Sequence, residues 1–250
     1  MKIVAVIPAR YASSRFPGKP LVDICGKPMI WWVYQQTQKV KEIHEIYVAT
    51  DDERIAKTCE QYNINYIMTS SSHRNHMERL YEVSEKVQAD LYICVCGDEP
   101  LILPETIKKL IPEEIDSNSI FARSIKREFK NPAEVIDVNT IKLVTNDNNI
   151  SVYMSRSPIP YPNKTLNFSY MEKVGVESYN KNALNFFYKK EPGILEKIED
   201  IVLLRFVENN IPVEYLLDNN YTLSVDTPKD LEVVKKIITD NIKAGKLNNN

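Results

Sequence analysis

Glycine is scarce in this chain, six in 250 residues, and a dinucleotide-binding GxGxxG loop is absent. Cysteine is equally sparse. Cys25, Cys59, Cys94 and Cys96 contain no CxxC pair, and strand alternation would turn Cys94 and Cys96 to one face, which suits neither a redox pair nor a zinc knuckle. Reduced thiols packed as small hydrophobes are the reading that follows. The three histidines, His44, His73 and His76, are too scattered to mark a metal site. No apolar run approaches the roughly 18 residues that span a bilayer, and the stretch between Lys2 and Pro8 is too short for a signal peptide's apolar region, so no membrane partner and a cytoplasmic location are expected. Charge of one sign is also missing. Thirty-two Lys and Arg against thirty-four Asp and Glu leave a net −2, which gives no field toward nucleic acid. With 43% hydrophobic and 26% charged residues, a disordered or fibrous chain is excluded.

What is present is an alternation. Lys2–Pro8 is a near-continuous apolar run, as a strand covered on both faces should be. The pattern then predicts a helix from Met29 to about Val40, a strand over Glu45–Thr50, a helix to about Tyr62 and a short strand over Asn65–Met68. A helix over Met77–Val87, a strand over Leu91–Val95 and a helix beginning at Pro104 complete the first half. Such βα repetition predicts an α/β, Rossmann-like, mostly parallel sheet. The second half reads as a smaller β-rich inserted or appended region: strands over Val135–Val144, Asn149–Met154 and Val174–Tyr179, helices over Lys181–Tyr188 and about Ile194–Asn209, and a strand near Val213–Leu217. A closing helix over Asp226–Lys243 has Pro near its start. We read residues 1–245 as one domain, with a first half (1–130), a β-rich region (131–225) and the closing helix (226–245).

The chemistry gathers after the first strand, in IPARYASSRFPGKP. Arg10, Arg15 and Lys19 lie within ten residues at the carboxyl end of a parallel strand, where such sheets bind their ligands. Small residues there let backbone N–H groups approach a polyanion, while Arg and Lys neutralise it. A P-loop is excluded, because Ser13 stands where its first Gly belongs and Pro20 where Ser or Thr must be. The fourth strand ends in Cys96-Gly97-Asp98-Glu99-Pro100, and a carboxylate at that tip suits a divalent cation. Asp226 offers a second carboxylate, with a helix N-cap as its plain alternative.

In order along the chain, IPARYASSRFPGKPL, VCGDEPLI, NPAEVIDVNTIKLV, SRSPIPY and VDTPKDLE resemble the motifs of the 3-deoxy-manno-octulosonate (Kdo) cytidylyltransferases, or CMP-Kdo synthetases. The resemblance runs from residue 3 to about 238. It implies a GT-A-type nucleotidyltransferase fold, usually a homodimer, with Mg²⁺ as cofactor and a place in lipopolysaccharide biosynthesis. The implied reaction joins CTP and a sugar acid into a CMP-sugar acid with release of pyrophosphate. Carried over by position, Pro8, Ala9, Arg10, Ser13, Arg15, Lys19, His73 and Arg79 would hold the nucleotide. Arg10, Lys19 and Asp98 would be catalytic, Asp98 and Asp226 would hold the metal, and Cys96, Arg156, Lys173, Glu177, Glu196 and Glu199 would face the acceptor.

The chain departs from the family pattern at four places. Cys96 replaces the Gln before GDEP. HxSGT(D/E)R becomes His73-Arg74-Asn75-His76-Met77-Glu78-Arg79, where a Cβ in place of Gly at 76 should shift the backbone. HIGIY becomes Lys173-Val174-Gly175-Val176-Glu177, and the third acid of ExxExxE is Val202. These departures suggest a retained reaction with an altered acceptor. Lys173 would meet an anionic group and Glu177, near Glu196 and Glu199, an ammonium; alternatively Lys173 and Glu177 pair with each other. A phosphate or phosphonate acceptor, and a non-catalytic nucleotide-binding homologue, are the alternatives that the residues leave open.

Overall fold

The structure is a computed structural model describing residues 1–12, 16–220 and 222–247. β1 (Ile3–Ala9) is the centre of the sheet. The strands β2 (Asp23–Ile24) and β3 (Lys27–Pro28) form a small hairpin before α1 (Met29–Gln38), and β4 (Glu45–Thr50), α2 (Glu53–Gln61) and β5 (Tyr66–Met68) follow. After α3 (His76–Lys86), β6 (Leu91–Val95) and α4 (Pro104–Lys108) comes β7 (Ala122–Glu128). The second half adds β8 (Lys142–Thr145), β9 (Ser151–Ser155), β10 (Met171–Tyr179), α5 (Lys181–Lys189), α6 (Ile194–Glu199), α7 (Leu204–Glu208), β11 (Glu214–Leu217) and α8 (Pro228–Lys243).

One nine-stranded sheet runs β11-β7-β10-β6-β1-β4-β5, with β8 and β9 attached beside β10. The strands from β6 to β5 are parallel, while β10 runs antiparallel to both β6 and β7. The chain leaves β1 toward β4 and β5, then returns to place β6 on β1's other side. That reversal opens a crevice at the carboxyl ends of β1 and β6.

Alternation on β1 sorts the core into two layers. Ile3, Ala5 and Ile7 pack on one face with Trp32, Ile55, Ile107 and Val234 from α1, α2, α4 and α8. Val4 and Val6 pack on the other with Leu80, Leu184 and Phe206 from α3, α5 and α7. Among the described residues no helix is long and apolar enough to cross a membrane.

Three expectations change. No strand begins at Val135. Residues Pro132–Ile136 form a 3₁₀ turn capped by the Asn131 side chain on the Ala133 N–H (3.0 Å), and β8 starts only at Lys142. The helix expected over Ile194–Asn209 is two, because Asp200 adopts φ 52° and breaks the run after α6. β7 went unpredicted, because Arg123, Lys126 and Arg127 make it read as solvated surface. Lys126 is buried there, its ammonium bonded to Thr145 Oγ1 (2.6 Å) and Asn149 Oδ1 (2.9 Å).

Candidate active site

At the reversal between β1 and β6 lies a cleft of about 360 Å³ lined by residues from both halves of the chain. Pro8, Ala9 and Arg10 reach it from the end of β1, and Lys19 from the 3₁₀ turn Lys19–Leu21. Cys96, Gly97 and Asp98 reach it from the end of β6. Gly97 is required for this approach, since a Cβ there would stand 2.9 Å from the Pro8 carbonyl oxygen.

Lys19 Nζ donates to Asp98 Oδ2 at 2.7 Å and to Asp226 Oδ1 at 3.4 Å. Burial would lower this ammonium's pKa, but the charges of Asp98 and Asp226 outweigh it and raise it. Asp226 is held here by the bond from Val225 N–H to the Asp98 carbonyl (2.9 Å). It is not the cap of α8. Thr227 takes that role in a reciprocal capping box with Asp230. Two carboxylates from distant parts of the chain thus converge on one cation, an all-oxygen donor pair of the kind that hard divalent ions such as Mg²⁺ take. Beside them Glu99 is buried, and burial pushes its carboxyl up to about 8, with the Asp98 charge adding and Arg127 opposing.

His73 and Arg79 also line the cleft, each already partnered. His73 Nε2 lies 2.5 Å from Glu82 Oε2. Arg79 is buried, bonds Thr69 Oγ1 and pairs with Asp51 at 3.4 Å. His76 begins α3 outside the left-handed region, in a conformation open to any side chain, and Asn75 caps the helix on the Glu78 N–H (3.1 Å). Ser13 and Arg15 lie outside the described residues.

Of the residues expected to face an acceptor, Cys96, Lys173 and Glu177 line the cleft. Lys173 and Glu177 come together through an irregularity in β10, where the register against β7 shifts between them. Gly175 sits inside this irregularity, its carbonyl taking the Cys96 N–H at 3.0 Å; a Cβ there would meet Glu99 Oε1 at 2.8 Å. Glu177 does not wait for an ammonium ligand. It is 1% exposed and already paired with Lys173 Nζ at 2.5 Å, so the alternative pairing is the observed one.

Arg156, Glu196 and Glu199 are not among the residues lining the cleft. Glu196 forms a two-pronged ion pair with the buried Arg205 (2.5 and 2.6 Å), which fastens α6 to α7. Glu199 accepts from Ser155 Oγ (2.7 Å), Tyr153 OH (3.2 Å) and the Arg156 N–H (2.9 Å). Arg156 donates to the carbonyls of Val138, Glu199 and Asp200. These three therefore brace the segment Asp200–Leu203, which itself lines the cleft and includes Val202, where the family pattern has an acid. Arg74, Asn75, His76 and Ile141 are further lining residues not assigned from the sequence.

Comparisons with known proteins agree with this geometry. A cytidylyltransferase family model matches residues 4–220. The 3-deoxy-manno-octulosonate cytidylyltransferase of Escherichia coli is 36% identical, covering 96% of this chain and 98% of that protein. The enzyme of the same name from Fusobacterium nucleatum is 38% identical with the same coverages. A structure of CMP:2-keto-3-deoxy-manno-octonic acid synthetase complexed with CTP superposes with a TM-score of 0.90 at 36% identity, covering 96% of this chain and all of that one. The inositol-1-phosphate CTP transferase of T. maritima shares the fold at a TM-score of 0.70 and 15% identity, covering 94% of each chain. The chain belongs to the cytidylyltransferase family, among the 3-deoxy-manno-octulosonate cytidylyltransferases.

Proposed function

We propose that the protein transfers CMP from CTP to a hydroxyl of 3-deoxy-manno-octulosonate, releasing pyrophosphate. The observation that carries the reading is the Lys19 ammonium between Asp98 and Asp226 at the β1/β6 crevice. In the reaction the acceptor oxygen bonds to the α-phosphorus, the bond to the β-phosphate oxygen breaks, and the hydroxyl proton leaves. Positioning and charge neutralisation carry such a transfer, so no nucleophilic Ser or Cys is required.

Arg10 and Lys19, following β1, are suited to the phosphates, and the Pro8 and Ala9 backbone to the nucleotide's flank. Asp98 and Asp226 would hold Mg²⁺, which when bound supplies charge neutralisation at the α-phosphate and the leaving pyrophosphate. Lys19 keeps the two carboxylates together before nucleotide arrives and orients them by its two bonds. Lys173, on the β10 side of the cleft, is paired with Glu177 and shapes the acceptor's wall through that pair.

A homodimer belongs to the same proposal, supported by exposed Ile136, Val138, Tyr161 and Leu166 between β7 and β10. So does a cytoplasmic setting, which suits the buried thiols of Cys59 and Cys94. The test is direct: purified protein with CTP, Mg²⁺ and Kdo should release pyrophosphate and form the CMP-sugar acid. Absence of pyrophosphate with Kdo overturns the reading.

A further inference from the structure

Three departures from the family's motifs meet at one point in the fold. His76 begins α3, Cys96 follows β6, and Lys173 and Glu177 stand on β10. Glu177 Oε1 forms an ion pair with Lys173 Nζ at 2.5 Å. Its Oε2 receives the Tyr179 hydroxyl at 2.6 Å and faces His76 Nε2 at 3.0 Å. Burial alone would raise the carboxyl, but the neighbouring Lys173 and His76 hold it well below the usual carboxylate range. Glu177 is therefore an anion that only accepts hydrogen bonds. His76 Nε2 must then carry the hydrogen on that side, which leaves Nδ1 as the ring's second polar atom.

Among the described residues Nδ1 has no hydrogen-bond partner. The side chain is 26% exposed and lines the cleft. Cys94 Sγ lies within 4.8 Å of the same ring and carboxylate. A cation there would have to compete with the Lys173 ammonium already on Glu177, so the cluster reads as a self-contained brace rather than a metal site.

We propose that His76 is a specificity-determining residue for the acceptor. Its Nδ1 hydrogen-bonds a hydroxyl of the polyhydroxylated sugar acid, and Glu177, Lys173 and Tyr179 fix the ring for that contact. This rests on the proposed cytidylyl transfer and names one group that reads the acceptor. The acceptor is favoured over the triphosphate because the ring is anchored on β10, which β6 separates from β1 and its Arg10 and Lys19; a contact to the base instead would show as a raised CTP KM. The departures at 76, 173 and 177 then form one compensated unit rather than separate losses.

Two substitutions split the ring's two nitrogens. His76→Gln keeps a donor that reaches Glu177 but offers nothing at Nδ1, whereas His76→Asn keeps a polar atom near Nδ1 and loses the reach to Glu177. Steady-state pyrophosphate release with CTP and Kdo varied separately should show the acceptor KM raised at least about tenfold in His76→Gln and His76→Ala, a hydrogen bond's worth. The CTP KM should stay within about twofold, and His76→Asn should recover part of the loss. Melting temperatures and calorimetric CTP binding identify any variant that fails to fold. An acceptor KM at the wild-type value in His76→Gln overturns the proposal, since the ring then serves only to hold Glu177. A CTP KM that rises with the acceptor KM overturns it as well. Wild-type protein that releases no pyrophosphate with Kdo sinks the reaction assignment itself, a result distinct from an active wild type with an unimpaired His76→Gln.

Discussion

Lys19 and the two aspartates it joins sit at the centre of the proposed chemistry. Replacing Asp98 by Asn removes charge from the tip of β6 without changing its volume. Turnover should fall by about 10³-fold, equivalent to about 4 kcal/mol of transition-state stabilisation, while the melting temperature stays close to wild type. Unchanged activity would count against the assignment. Lys19→Ala should raise the CTP KM more than the acceptor KM, by about tenfold for the loss of one charge-assisted contact; equal effects would mean that Lys19 does not serve the phosphates. Glu196 behaves differently. Its bonds to Arg205 are buried, and Glu196→Gln leaves the guanidinium without a counter-charge, at a cost of about 3–5 kcal/mol. Urea unfolding should show that loss, with the acceptor KM of the remaining folded enzyme unchanged.

At the scale of elements, the cleft depends on how closely the ends of β6 and β1 approach. Gly97→Ala puts a methyl 2.9 Å from the Pro8 carbonyl and must push the two strand ends apart. The expected result is a stability loss of about 1–3 kcal/mol with at least a tenfold fall in kcat/KM, because Asp98 moves with residue 97. A purely thermal effect, with kcat/KM intact, would show that the crevice tolerates the shift. The junction of α6 and α7 is a second such element. Asp200 in the left-handed region ends α6, and Arg156 grips the carbonyls of Glu199 and Asp200, so the acids expected to face the acceptor instead hold a wall segment in place.

Across the whole molecule, acid stability follows from carboxylates that the fold keeps ionised. Burial would raise Glu82, but bonds from Lys86, the Ser70 N–H and His73 bring it down to about 2. Glu177 is lowered as well, against its burial, by Lys173 and His76. A carboxyl whose folded pKa lies below its unfolded value stabilises the fold above the unfolded pKa, and that contribution is lost as pH falls. Urea midpoints should therefore fall steadily below about pH 4.5, while Glu99, raised to about 8 by burial, makes them decline gently as pH rises between about pH 5 and 8. Glu177→Gln should start lower at pH 7 and fall less steeply in acid. An equally steep fall would mean that Glu177 is not ionised in the fold.

The alternation of apolar strands and amphipathic helices made the parallel half legible from residues alone, since β1 and β6 are strands buried on both faces and β4 is buried over its carboxyl half, and they need no distant partner to announce them. The basic loop after β1 and the aspartate ending β6 were legible for the same reason: ligand groups of such sheets lie at strand ends. β7 was hidden because its lysine and arginine side chains find partners in β8, β10 and the chain beyond β11, which only the assembled sheet brings near. The same limit governs the acceptor side. His76 and Glu177 are 101 positions apart, and nothing local in either segment says that they touch. Sequence determined the parallel half of the sheet, the family and the cations clustered after β1, because short-range patterning encodes them. Tertiary structure alone decided that Glu196, Glu199 and Arg156 brace a wall and that His76, Lys173 and Glu177 form one network. A carboxylate's role depends on which cation the fold sets beside it, and that choice is made across the chain.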